Sequence, residues 1–231
     1  MQEHLSRQFD LDLEAIRTHI LEMGGLVENQ LTRAIEAFAT GNRDAMRKII
    51  SDDAAVNKLE IDIDAESARL IAKRQPTASD LRLVLAISRM VTDLERCGDK
   101  AVKIAKMSLK LYDSQSAHIP PLADIRQCGQ QAIAMLRRSL DALARTDADD
   151  ARELITEDEK LDANFNGIMR QLITYMMEDP RNISEALDII WIAKAIERVG
   201  DHAANIAENV VYIASGSDIR HSGQYQHGEE A

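Results

Sequence analysis

Glu95 and Asp99 stand four residues apart with Gly98 just before the aspartate, and Glu197, Gly200 and Asp201 repeat the arrangement later in the chain. On an α-helix this spacing stacks both carboxylates on one face. Like charges so placed repel by a few tenths of a kcal/mol, roughly, unless a cation lies beside them. Carboxylate and amide oxygens suit hard cations such as Mg, Ca, Mn or Fe far better than soft metals. Two further pairs fall on the preceding helix of each copy, Glu60 with Asp64 and Asp162 with Asn166. The candidate metal ligands are therefore Glu60, Asp64, Glu95, Asp99, Asp162, Glu197 and Asp201, with Asn166 and Asn205 as additional neutral oxygen donors. Because Asn166 has lost a carboxylate, weaker binding is expected in the second copy. The competing reading is a solvated acidic face. Asp99 reaches Lys103 at four-residue spacing, with Arg96 and Arg198 nearby, although Asn205 replaces that lysine in the second copy.

The other reactive residue types point away from catalysis. None of His4, His19, His118, His202, His221 or His227 follows a Glu by three residues, so the Glu-x-x-His signature of di-iron bundles is missing. His202 is read as a surface residue, Cys97 as a buried thiol and Trp191 as part of the core stripe of its helix. The sequence contains neither a P-loop nor a nucleophile elbow. A binding or regulatory module is the stronger class, and the chain is read as a non-enzyme. The rival is a metal-binding bundle with phosphoester hydrolase or metal-storage activity at the carboxylates.

The carboxylates belong to a longer internal repeat. Met23-Gly24 matches Cys128-Gly129, Ile49 to Asp53 match Leu154 to Asp158, and Val56-Asn57 match Leu161-Asp162. The register slips by three residues around Pro76 and Pro180 and then holds, with Leu94 matching Ile196. Each copy reads as three helices. In the first helix Leu13, Ile16, Ile20, Met23, Val27, Leu31, Ile35 and Phe38 recur at three-and-four spacing, the pattern of a helix buried along one stripe. Gly41-Asn42 and Thr146-Asp147 provide stops and new N-caps, and Thr77 with Asp80 and Asn182 with Glu185 resemble capping boxes. The expected fold is all-α: two tandem, similar three-helix bundles of six long helices, spanning 9–115 and 122–214, with a mobile polar tail at 215–231.

Composition bounds the setting. The 231 residues carry a net charge of −11, 3% aromatics and two cysteines. No basic stripe for nucleic acid is visible, and no apolar run approaches the ~20 residues of a membrane span. The first residues lack a signal peptide, and two cysteines make no disulfide framework, so a cytoplasmic protein is expected.

Gln75-Pro76-Thr77-Ala78-Ser79-Asp80-Leu81-Arg82, then Asp93-Leu94-Glu95-Arg96-Cys97-Gly98-Asp99, with the second Glu-Arg-x-Gly-Asp at Glu197 to Asp201, resembles the PhoU family of phosphate-transport regulators. The resemblance runs from about Phe9 to Ala214. It implies two three-helix bundles, and metal (Mg, Mn or Fe) held by Glu95/Asp99 and Glu197/Asp201. Glu60/Asp64 fits the same pattern, and Asp162 with Asn166 departs from it. It further implies a negative regulator of phosphate uptake and of the Pho regulon. Such a protein couples the ATPase subunit of the phosphate ABC transporter to a sensor histidine kinase when phosphate is plentiful. A homodimer, peripheral to the inner membrane through its partners, is part of the same expectation.

Overall fold

The computed structural model describes residues 2–74, 76–113 and 123–219. Its elements in chain order are α1 (Gln2–Thr40), α2 (Arg43–Asp52), α3 (Ala54–Arg74), α4 (Ala78–Asp113), α5 (Ala123–Arg145), α6 (Ala148–Glu178), a 3-10 turn (Pro180–Asn182) and α7 (Ile183–Ser215). The all-α expectation holds, and among the described residues there is no strand. The second helix of the first copy is broken at Asp53 into α2 and α3, whereas α6 runs unbroken through Asp158. The helix-forming stripe expected in α1 is the buried one: Ile16, Ile20, Met23, Val27, Leu31, Ile35 and Phe38 are all nearly inaccessible.

The two copies turn their first corner alike. Gly41 and Thr146 both take positive φ, at 67° and 54°. The next residues, Asn42 and Asp147, return their N–H groups to Ala37 and Ala142 and cap the following helix through their side chains. These are Schellman-type ends, and Thr146 shows that the left-handed position is occupied even without glycine. At the second corner the copies diverge. The Thr77 hydroxyl donates to the Asp80 carboxylate at 2.8 Å, but Asn182 makes no side-chain cap, and Asp179 instead accepts from the Arg181 N–H to start the 3-10 turn. The expected linker at His118–Pro121 and the tail from residue 220 lie outside the described residues, and Ser215 itself still belongs to α7.

Helices of each copy pack on one another, and the copies also join through α4 against α7 and α1 against α5. Their buried side chains form one continuous core rather than two separate ones. Reciprocal glycines mark the pseudo-twofold at α1–α5. A Cβ on Gly24 would lie 2.6 Å from Leu140, and one on Gly129 2.6 Å from Ile35, residues that the repeat makes equivalent. Each glycine receives the branched tip of the other helix, so the backbones approach more closely than alanine permits. Across α4–α7, His202 Nδ1 meets Asp93 Oδ1 at 2.9 Å, and Asn205 donates to the same oxygen at 3.2 Å. His202 is 8% exposed, so its expected surface role is corrected: it is an interior tie between the copies. The Cys97 thiol is buried as expected. Trp191 is the opposite correction, for it is 54% exposed and stands under the Lys103 ammonium rather than in the core.

Candidate functional site

Gly98 and Gly200 explain how acidic side chains come together. A Cβ on Gly98 would sit 3.3 Å from Val56 and 3.7 Å from Asp53 Oδ1, and one on Gly200 2.2 Å from Leu161 and 3.0 Å from Asp158 Oδ1. The missing side chains let α3 lie close on α4, and α6 close on α7. Each approach delivers an aspartate, Asp53 or Asp158, toward the Glu/Asp pair of the facing helix. Asp53 and Asp158 are matched members of the repeat, but spacing along the chain places neither in the site. The signal was present: an acid three residues before the apolar residue that fills the glycine gap, in both copies.

In the second copy the acids converge. Single oxygens of Asp162, Glu197 and Asp201 all lie within 4.8 Å of one another. Among the described residues this is the group of three acidic side chains arranged to hold a cation. Asp158 stands beside them, and burial followed by the charges of Asp201, Asp162, Glu197 and Glu208 pushes its carboxyl up to about 7. Asp158 Oδ1 and Glu197 Oε2 are buried with no hydrogen-bond partner among the described residues. Buried carboxylate oxygens without donors are costly unless a cation is close by, so this donor set fits a hard, oxygen-seeking ion. Lys194 donates to Glu197, and Arg198 to Asp201 at 2.8 Å, which supplies part of the compensating charge. Asn166 is exposed on α6, and Asn205 gives its amide to Asp93 on α4.

In the first copy the acids are neighbours in a looser arrangement. Burial, then Asp64 and Asp99, raises the Glu60 carboxyl above the usual range. Glu95 is raised by burial, then by Asp99, Glu60 and Asp53, and lowered by Arg96. Asp64 accepts a 3.0 Å hydrogen bond from Ser88, further along α4 toward its N-terminus. Asp53 accepts from Gln30, whose own Oε1 is buried next to Gly98 with no hydrogen-bond partner among the described residues. Gln30 is a polar contributor that the sequence reading missed, because it sits on the stripe side of α1 where apolar residues predominate. The packing of Val56 and Leu161 against the two glycines makes Asn57 the equivalent of Asp162, and Phe165 that of Glu60. The two copies thus place their second-helix acids on different rungs, and the Asp162/Asn166 pair is not the counterpart of Glu60/Asp64. Among the described residues the carboxylate oxygens converge more closely in the second copy, although that copy carries the uncharged Asn166.

The geometry defines a doubled helical bundle carrying one acidic cluster per copy. The chain belongs to the PhoU family, whose PhoU domain matches residues 20–108 and 125–210, one match per copy. It is similar to the phosphate-specific transport system accessory protein PhoU of Escherichia coli K12, with 46% identity over 96% of this chain and 92% of that protein. The homolog of the same accessory protein from Pseudomonas aeruginosa is 43% identical over 100% of this chain and 95% of its own length. Among solved structures, PhoU from Pseudomonas aeruginosa superposes with a TM-score of 0.87 at 42% identity, covering 90% of this chain and 100% of that one. The phosphate transport system regulatory protein PhoU from Streptococcus pneumoniae gives 0.83 at 32% identity, covering 91% and 98%.

Proposed function

We propose that this chain is a negative regulator of phosphate uptake and of the Pho regulon. It couples the ATPase subunit of a phosphate transporter to a sensor histidine kinase when phosphate is plentiful. The observation that carries the reading is full-length similarity, across both copies, to proteins named phosphate-specific transport system accessory protein. No helix among the described residues is long and apolar enough to cross a membrane, in keeping with a partner that acts at the transporter from the cytoplasmic side. The chain acts by binding rather than by turnover, as a homodimer.

In the same reading the acidic clusters hold divalent metal or iron. Asp158, Asp162, Glu197 and Asp201 form one site, and Glu60, Glu95 and Asp99 with Asp53, and with Asp64 at its margin, form the other. The metal supplies positive charge that lets these carboxylates remain ionised at close quarters. The residues themselves tie α3 to α4 and α6 to α7, so cation binding stiffens both bundles. A clean deletion strain carrying an alkaline phosphatase reporter tests the regulatory role. Reporter activity should stay high in phosphate-rich medium and fall when the chain is restored. Normal repression in the deletion strain would overturn the proposal, and phosphoester turnover by the metal-loaded protein would favour the hydrolase reading instead.

A further inference from the structure

α4 and α7 run antiparallel, tied by Lys110 to Asp188 at one end and by Asp93 to His202 further along. Between these ties their outer seam opens into a groove of about 480 Å3 lined by Lys100, Lys103, Lys106, Trp191, Lys194 and Arg198, with Asp99 at its acidic margin. Lys194 and Arg198 are paired with Glu197 and Asp201, whereas Lys100, Lys103 and Lys106 make no ion pair among the described residues and give the groove a local positive charge on a chain whose net charge is −11. On α7 the apolar residues Ile183, Leu187 and Trp191 follow one another at four-residue spacing, and they are 42%, 46% and 54% exposed. Successive positions four apart form a single stripe, so this is one apolar surface and not three scattered side chains. Exposed tryptophan with a charged rim is the composition of an interaction centre. The Lys103 ammonium lies 5.4 Å from the Trp191 ring centroid and helps hold the ring at the groove.

The shape and chemistry of the groove distinguish among occupants. A small phosphorylated ligand accounts for the lysines and the tryptophan but leaves Ile183 and Leu187, which extend the stripe away from the cations, without a role. A second copy docked through a twofold axis would set this cation cluster against itself. A flat lipid surface asks for protruding apolar side chains, whereas here the cations and the indole line a concave seam between two helices. Ile183 and Leu187 continue the stripe past the Lys110–Asp188 tie, so the α7 face from Ile183 through the groove to Arg198 is about 22 Å long, roughly four helical turns.

We propose that the α4–α7 groove around Trp191 docks an acidic amphipathic helix of a protein partner. Its apolar face rests on Ile183, Leu187 and Trp191, and its carboxylates lie among Lys100, Lys103 and Lys106. The assignment rests on the reading above that the chain works through protein partners, and it names the surface and the chemistry of the contact.

The test uses the full chain in magnesium- and manganese-containing buffer. The probes are the purified transporter ATPase subunit, the cytoplasmic part of the sensor kinase, and vesicles of anionic phospholipid. Titration calorimetry compares the wild type, Trp191→Ala, the double variant Lys103→Glu/Lys106→Glu, and Lys48→Glu as a charge control on exposed α2. Circular dichroism checks that each variant is folded, and the double variant, confined to exposed residues, stands in if Trp191→Ala is not. At least one protein should bind the wild type, with affinity about tenfold or more weaker in both groove variants and unchanged in Lys48→Glu. The effect of the double variant should shrink as salt rises. Equal binding of the proteins by wild type and groove variants overturns the groove assignment and leaves the regulatory reading standing. Vesicle binding that shows the same variant sensitivity, with the proteins indifferent to it, assigns the groove to lipid and also overturns the proposal. Binding of neither protein by the wild type removes the regulatory reading and the docking assignment together.

Discussion

Asp158 gives the sharpest perturbation. Its carboxyl is half-buried beneath Gly200 and faces Asp162, Glu197, Asp201 and Glu208, and it is raised from 3.8 to about 7. Below the ordinary carboxylate range Asp158 is protonated in both the folded and the unfolded chain and has no effect on pH dependence. As pH rises, the unfolded chain ionises first while the folded chain keeps its proton. Stability is therefore lost progressively until the pH passes the folded value. The size of the displacement sets a ceiling of about 4 kcal/mol, and solvent at this half-buried group screens it to about 2 kcal/mol. Asp158→Asn removes the titration while keeping shape. Urea denaturation of chelator-treated protein should find the variant and wild type within about 0.5 kcal/mol at pH 3.5, and the variant about 2 kcal/mol more stable at pH 8. Manganese or ferrous iron should reverse that order, because the wild type gains about 2.7 kcal/mol when free metal is a hundredfold above its dissociation constant. A difference that does not change with pH, or an asparagine variant less stable at pH 8 without metal, refutes the reasoning.

The two site glycines should respond differently to alanine. Gly200→Ala should lower stability by about 1 kcal/mol net, since overpacking against buried Leu161 outweighs the helix-propensity gain. Gly98→Ala, with 3.3 Å to Val56, should lie between neutral and about 1 kcal/mol more stable by the same urea measurement. Asp93→Ala strands His202 and Asn205 inside the α4–α7 junction and should cost about 1–3 kcal/mol, read as a shift in the denaturation midpoint.

Much of this architecture was legible because it is written twice. The helix count per copy, the first corners and the buried stripe of α1 follow from periodicity and from capping residues at matched positions. The glycines flagged in the repeat do mark close helix approach. Other features were hidden because they depend on what faces a residue across the bundle. Asp53 and Asp158 read as ordinary helical acids until Gly98 and Gly200 bring them under the facing pair. Glu60 occupies the rung held by Phe165 in the second copy and Asp162 the rung held by Asn57 in the first, so Glu60 and Asp162 look equivalent by type but not by position. Trp191 reads as core because its stripe continues along α7, and His202 as surface because its own helix gives no hint of Asp93 on α4. Local pattern specifies which face of a helix is apolar, whereas packing between the copies decides which faces are covered.

Metal content is the most direct test of the claim that paired carboxylates on facing helices form a cation site in each copy. Wild type, Glu95→Gln/Asp99→Asn and Glu197→Gln/Asp201→Asn are purified without chelators and compared by plasma mass spectrometry, with helical content verified in the same samples. Each double variant should lose the metal of its own copy and keep that of the other, with the larger loss for Glu197→Gln/Asp201→Asn, where the oxygens converge within 4.8 Å. Unchanged metal content in both double variants would contradict the account and leave the acids as a solvated face.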